Sequence, residues 1–286
     1  MEKYYCCYKA NTELKFNPVD KIKEQIEKTD RIVKYLIKLR KDIAPKYVRA
    51  LIKRLQSVVN GYTVEINSKD FQDLNDKLTS IKIGETLANL IIYYMAKSLE
   101  IQDKSEIKSE NAIFTSLNRS KSMEGLSYYR VKAFADVLGK DEGIKLYSKI
   151  LGLVVTETNK DLKINEKNTV KIRNEYAVKN WCKEGVGDFT FTFINENQVL
   201  YRFDRCVTHE ALKDFNDPDI AYIASCYLGD IPEFNEPDFI HLRRTQTLHH
   251  GDFCDELYWD TRVHKEHPKQ PSLEFTKELA KEVKEK

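Results

Sequence analysis

The sequence lacks the long apolar run that a membrane-spanning helix requires, roughly 18 to 20 residues. Its best candidate, residues 87–96, is too short and is flanked by charged residues. The N-terminal residues contain no apolar signal-peptide core, so we expect a cytoplasmic protein. A large charge of one sign is also missing, because 47 Lys and Arg residues nearly balance 45 Asp and Glu residues, leaving a net charge of +2. This balance predicts neither a nucleic-acid partner nor a membrane partner.

Cysteine and glycine are scarce, and neither forms a familiar motif. The six cysteines include no C-x-x-C pair, and in a cytosolic protein of this size we expect reduced thiols. Gly185 and Gly187 lack the third glycine and the following helix of a phosphate-binding loop. The chain also has no G-x-S-x-G and no H-E-x-x-H motif. The sequence therefore points away from the enzyme classes that these motifs identify.

Helical patterns dominate the first part of the chain. Asn17-Pro18 is typical of a helix start, because Asn can cap and Pro fits the first turn. Apolar residues then recur at helical spacing. The same pattern predicts further helices after Pro45 to Val59, from a cap at Thr79 or Ser80 through Met95, and over 104–118, 126–138, 141–158 and 170–183.

The period changes from 3.6 to two after Gly187. Phe189, Phe191 and Phe193 alternate with threonines, which predicts a half-buried strand. The pattern then predicts a return strand over 199–206, a short helix from Pro218, strands over 239–249 and 254–261 joined by a turn, and a terminal helix after Ser272 that we expect to be an exposed appendage.

Together these elements predict an α+β fold, with a helical N-terminal half packed on a smaller antiparallel β-sheet C-terminal half that also carries short helices. We expect a helical region over 1–120, an α+β region over 121–271 with its sheet from about residue 187, and a C-terminal helix over 272–286.

Reactive side chains are concentrated between residues 243 and 256. A tight turn is expected to bring His250 close to Cys254, and an imidazole beside a thiol can generate a nucleophilic thiolate. Asp255 or Asp252 could hold that imidazole in the required tautomer. Arg244 could bind a substrate carboxylate through two hydrogen bonds. Each feature also has a structural explanation, since buried cysteines are commonly small hydrophobic side chains and turn histidines commonly lie at the surface.

Two further cysteines could join this cluster, Cys206 at the end of a strand and Cys226 at the end of a helix. With His209 and Cys254 they would form a thiolate-rich zinc site. Only Cys206 and His209 are close in sequence, so we expect no cofactor and keep zinc as the alternative.

Several short segments occur in the order and rough spacing of a known family: Arg205-Cys206, Cys226, the run from Arg243 to Leu248, Gly251 and Cys254-Asp255. Through them the C-terminal third resembles the L-2-amino-thiazoline-4-carboxylic acid hydrolase family. Gly139 and Glu142 extend the resemblance to roughly residues 130–261.

The resemblance implies a hydrolase acting on a small cyclic C–N bond of the thiazoline, amidine or lactam type. Cys254 would be the nucleophile, His250 the proton shuttle and Asp255 the orienting acid. The substrate-binding residues would be Arg244, Thr247, Cys206 and Cys226. The alternatives are a non-catalytic module that binds a small molecule, and a zinc protein that uses the Cys and His cluster.

Overall fold

The computed structural model describes residues 4–6, 9, 11–66, 84–107, 109–161, 166–231 and 239–281. Its helices are α1 (Pro18–Leu39), α2 (Ala44–Val59), α3 (Gly84–Ser98), α4 (Lys104–Ile107), α5 (Ser116–Leu138), α6 (Lys140–Asn159), α7 (Val170–Glu184), α8 (Val207–Leu212), α9 (Pro218–Ala224), α10 (Tyr227–Asp230) and α11 (Leu273–Lys281). Its strands are β1 (Tyr4–Cys6), β2 (Glu13–Phe16), β3 (Ala112–Thr115), β4 (Gly187–Asn195), β5 (Gln198–Cys206), β6 (Ile240–Arg243) and β7 (Cys254–Asp260). The α+β class is confirmed, and none of the described helices has the length and hydropathy of a membrane span.

The helical half forms around one large apolar core. Helix α1 begins as predicted, since the Asn17 side chain accepts a hydrogen bond from the Val19 N–H at 2.9 Å. Helices α1, α2, α3, α5 and α6 bury their apolar faces against one another. The rings of Tyr47 and Phe134, for example, lie with centroids 4.2 Å apart. The predicted cap at Thr79 or Ser80 lies outside the described residues.

The helix predicted over 104–118 is wrong. Helix α4 ends at Ile107, and residues 112–115 form β3, which pairs antiparallel with β2. The rings of Phe16 and Phe114 lie 4.9 Å apart, so pairing with a distant strand outweighs the local helical preference. Thr115 then caps α5, which begins ten residues before the predicted start at 126.

The C-terminal half contains an antiparallel sheet with the strand order β1-β4-β5-β7-β6. In the β5–β7 pair, Phe203 lies opposite Cys254, Tyr201 opposite Glu256 and Val199 opposite Tyr258. Because directly opposed residues share a face, this pairing places Cys254, Glu256 and Tyr258 on one face of the sheet. Asp255 and Leu257 therefore lie on the other face.

Helices cover both faces of this sheet. On the Cys254 face, the Trp181 ring of α7 packs at 5.3 Å from Tyr201 and 5.7 Å from Phe189. On the other face, Leu279 of α11 is buried against Leu200 and Leu257. The expectation that the terminal helix is an exposed appendage is therefore wrong, because its apolar stripe completes a small core.

Candidate functional site

Three cysteines that are distant in sequence line one cavity of about 240 Å³. Cys206 ends β5, Cys226 precedes α10 and Cys254 begins β7, and all three are free thiols. The cavity also has a polar lining, which includes Glu124, Thr208, His209, Ser225, Arg244, Thr247, His249 and Glu256. We refer to this space as the thiol cavity.

The expectation that all of the thiols are reduced is wrong. Cys182, on α7, is disulfide-bonded. A disulfide requires the fold to bring two sulfur atoms within bonding distance, and spacing along the sequence does not reveal that.

The three cavity thiols differ in how strongly their surroundings raise the pKa and so disfavour the thiolate form. Burial raises the pKa of Cys206, but the backbone N–H groups of His209 and Thr208 and the Thr208 hydroxyl act to lower it. Burial raises the pKa of Cys226 to about 12, against the opposing charge of Arg244. Burial and then the Glu256 carboxylate raise the pKa of Cys254 well above its usual range. The groups of Thr208 and His209 next to Cys206 therefore oppose the effect of burial on its thiol, although no side-chain hydrogen bond to its sulfur caps helix α8.

Arg244 is held between two carboxylates and does not present an open guanidinium. Its Nε and Nη2 donate to Glu256 Oε1 at 3.0 and 2.8 Å, and its Nη1 donates to Asp230 Oδ1 at 2.8 Å. Nη1 also donates to the Cys226 carbonyl at 2.9 Å, and the Tyr258 hydroxyl donates to Glu256 Oε2 at 3.0 Å. These bonds tie β7 to α10 and fix Glu256 at the wall of the thiol cavity.

Asp255 organises the loop that follows β6. Its buried carboxylate accepts the backbone N–H groups of Thr245 and Gln246 at 2.9 and 2.8 Å, and the Gln270 amide at 2.8 Å. These bonds replace the ladder of a continuing strand, so β6 ends at Arg243 and the strand predicted over 239–249 is wrong beyond that residue. Asp255 lies on the face opposite Cys254 and does not contact either neighbouring imidazole.

The loop places His249, and not the predicted His250, at the thiol cavity. His250 Nε2 lies 3.0 Å from Asp219 Oδ1, and its side chain is 40% exposed. His250 borders a neighbouring cavity of about 670 Å³, whereas His249 lines the thiol cavity. No hydrogen bond joins Cys254 to His250, both of which the structure describes. The fold therefore does not assemble Cys254, His250 and Asp255 into one arrangement.

His249 is hydrogen-bonded to Ser225 at the wall of the thiol cavity. The Ser225 hydroxyl donates to the Ala221 carbonyl at 2.7 Å, and His249 Nε2 lies 3.1 Å from the same oxygen. Because the single hydroxyl proton is used, His249 donates through Nε2 and keeps Nδ1 as an acceptor. Cys226 Sγ lies 3.6 Å from that hydroxyl oxygen.

Both cavity histidines are neutral at neutral pH. Burial, together with smaller contributions from the neighbouring His209 and His250, lowers the pKa of His249 to about 4. Burial also lowers the pKa of His209, whose ring lies 5.2 Å from that of His249. The cavity therefore offers imidazole groups that can accept a proton but carry no resting charge.

Thr247, predicted to bind substrate, lies between the two cavities and lines both of them. It is 3% exposed, and its Oγ1 has no hydrogen-bond partner among the described residues. The four alternative zinc ligands Cys206, His209, Cys226 and Cys254 also line the thiol cavity. Within the described ranges, however, no group of three or more His, Cys, Asp or Glu residues is placed to hold a metal ion.

Sequence reasoning missed five polar residues of this cavity: Glu124, Thr208, Ser225, His249 and Glu256. Glu256 could have been found, because strand alternation from Cys254 places it on the same face. Glu124 could not, since it belongs to a helix of the other half and no local motif links it to the cysteines.

Residues 119–258 match the model of a family described as L-2-amino-thiazoline-4-carboxylic acid hydrolase. The matched segment contains all three cavity thiols, and it begins at 119 rather than near the expected residue 130. No curated protein and no solved structure matches the chain.

Proposed function

We propose that this protein hydrolyses a C–N bond of a small cyclic substrate in the thiol cavity, because residues 119–258 match the model of the L-2-amino-thiazoline-4-carboxylic acid hydrolase family. The observation that supports this proposal is the gathering of Cys206, Cys226 and Cys254 around one space with polar walls. A small-molecule hydrolase needs an enclosed site with a nucleophile and groups that exchange protons.

We assign the nucleophile to Cys206 and not to Cys254. Cys254 is 6% exposed, lies in an apolar cluster with Phe203 and Tyr258, and is destabilised as an anion by Glu256. Cys206 is partly exposed and faces the N–H groups of Thr208 and His209. A thiolate forms more readily where donors meet the sulfur.

The reaction follows from the electrophilic character of an amidine carbon. The Cys206 sulfur adds to that carbon, the ring C–N bond breaks and the released nitrogen takes a proton. Water then adds to the same carbon and displaces the sulfur, so the net change is one water added across the C–N bond. The neutral imidazoles of His209 and His249 are placed to accept and return the protons.

Turnover by the full chain tests this proposal. The purified protein is incubated with L-2-amino-thiazoline-4-carboxylic acid, and the ring-opened product, heavier by one water, is followed by mass spectrometry. Cys206→Ser should lower turnover by roughly 1,000-fold or more, whereas Cys254→Ser, its matched control in the same cavity, should lower it far less. Full turnover by the Cys206 variant would remove Cys206 from the mechanism.

A non-catalytic binding role is the second candidate, because burial raises the pKa of all three thiols. It predicts that the chain binds the same compound without converting it. Calorimetric binding with no product over a long incubation would favour this role over hydrolysis.

A further inference from the structure

Glu124 is the contribution of the helical half to the thiol cavity. Among the described residues that line it, the others all lie between Trp181 and Tyr258. Glu124 lies on α5, which packs against α8 and α9 at the edge of the cavity. One carboxyl group from the distant half of the fold therefore faces the space where the three sulfurs meet.

Close helix packing fixes the position of this carboxyl group. The Tyr94 hydroxyl donates to the Lys121 carbonyl at 3.1 Å. A Cβ at Gly125 would overlap that hydroxyl, so glycine is required beside Glu124 for α3 and α5 to approach. The backbone that carries Glu124 therefore has little freedom to move away from the cavity.

The Glu124 carboxyl has no partner within the described part of the protein, in the form of either a hydrogen bond or an ion pair. Two cations lie near it without a direct bond to it: Lys28, which acts on the Glu124 carboxylate most strongly, and Arg130, which uses its guanidinium on Thr29, Gln25 and Ser127. Burial raises the pKa of Glu124, although Lys28, Arg130 and Arg119 oppose the shift. By accessible surface Glu124 is half-buried, so its carboxyl stands at the cavity wall without a hydrogen-bond donor but open to a ligand.

The other charged groups of the cavity are already satisfied. Arg244 and the Tyr258 hydroxyl neutralise Glu256, and burial keeps His249 uncharged. Glu124 has cations nearby, but its oxygens have no direct N–H donor, so the N–H groups of a ligand could bond to them from the cavity.

We propose that Glu124 binds the nitrogen end of the ligand and selects molecules that carry an amidinium or a protonated amine. The role of this contact in turnover rests on the proposed hydrolase function, but the contact itself can be measured without turnover. A planar amidinium presents two N–H groups to one carboxylate, as arginine does.

Acetamidinium and its uncharged analogue acetamide form a matched pair of probes. We measure the binding of each to the full chain by calorimetry, and we measure by mass spectrometry how strongly each protects the cavity thiols from iodoacetamide. The unmodified protein should bind and be protected by acetamidinium, and acetamide should bind far more weakly. Equal binding of the two probes, or no binding of acetamidinium, would overturn the proposal.

Glu124→Gln keeps the size of the side chain and removes its charge. It should weaken acetamidinium binding by roughly tenfold or more, because a charge-assisted hydrogen bond is lost. Glu27→Gln is the control, since it removes the same charge from α1 at a residue that does not line the thiol cavity. Unchanged affinity in the Glu124 variant, or an equal loss in the control, would contradict the assignment.

A second variant keeps the proposal testable if the first one does not fold. If Glu124→Gln does not melt cooperatively, Glu124→Asp keeps the charge but withdraws it by one methylene, and it should still weaken binding. Unchanged affinity in that variant would overturn the proposal. If acetamidinium binds through Glu124 but the protein has no turnover, only the hydrolase function is refuted. If the protein turns over substrate but the Glu124 variants do not affect probe binding, only this inference is refuted.

Discussion

The two faces of strand β7 carry different kinds of side chain. Cys254, Glu256 and Tyr258 point to the thiol cavity, where their polar atoms meet Arg244 and the other cysteines. Asp255 and Leu257 point the other way, toward the loop after β6 and toward α11. One strand therefore supplies a chemical face and a structural face, and residues that are adjacent in sequence serve different purposes.

Among the changes considered, removing the charge of Arg244, which pairs with Glu256 on the chemical face, should lower the free energy of unfolding most. Arg244→Leu leaves Asp230 and Glu256 buried without a counter-charge, so the free energy of unfolding should fall by about 3 to 5 kcal/mol. The measurement is urea unfolding at neutral pH. Arg243→Leu is the matched control, because Arg243 is exposed and should change stability by less than about 0.5 kcal/mol. Similar losses in both variants would contradict a special role for the Arg244 ion pairs.

The structural face is tested by Asp255→Asn. The variant replaces an acceptor oxygen with an amide that faces N–H donors, so unfolding should become easier by about 2 to 3 kcal/mol. Asp252→Asn, in the exposed turn of the same loop, should leave stability nearly unchanged. If Asp255→Asn retained full stability and abolished turnover, Asp255 would belong to the chemical face after all.

The acid sensitivity of the cavity is tested by His249→Gln. The pKa of His249 is about 4 in the folded protein and near 6.5 when unfolded, so the unfolded state binds the proton first as the pH falls. Its contribution to stability is complete above about pH 6.5 and is lost as the pH falls toward about 4. Stability curves over this range should differ by about 2 to 3 kcal/mol between the native protein and the variant, with the variant less acid-sensitive. Equal acid sensitivity would show that this imidazole is not buried as described.

The smallest effect is expected from His250→Ala. His250 pairs with Asp219 at the surface, so its loss should change unfolding by less than about 0.5 kcal/mol and leave turnover intact. Loss of turnover in a stable His250→Ala protein would restore the proton-shuttle role that the sequence suggested and would contradict the separation between His249 and His250.

The sequence predicted the features that depend on local periodicity. The alternation of Phe189, Phe191 and Phe193 identified a strand, and the cap at Asn17 identified the start of α1. Local patterns did not predict β3, because its partner strand lies about a hundred residues earlier in the chain.

The site was predicted at the level of the cysteines but not of their partners. Residues 206, 226 and 254 do share a cavity, yet the strand predicted over 239–249 ends at Arg243, where the Asp255 side chain takes the place of ladder hydrogen bonds. The loop that Asp255 holds in this way brings His249, rather than His250, to the thiol cavity. Glu124 belongs to a contact between the two halves, which no local pattern encodes.

Alkylation of the native protein is the most direct test of the central claim that the three thiols share a reachable cavity in which Cys206 reacts. The folded chain is treated with limiting iodoacetamide, the modified cysteines are identified by mass spectrometry, and turnover is followed in the same samples. We predict that Cys206 is modified first, that Cys226 and Cys254 follow slowly, and that turnover declines in step with the modification of Cys206. Turnover that persists after Cys206 is fully alkylated, or a Cys206 that stays unmodified until the protein unfolds, would contradict the account.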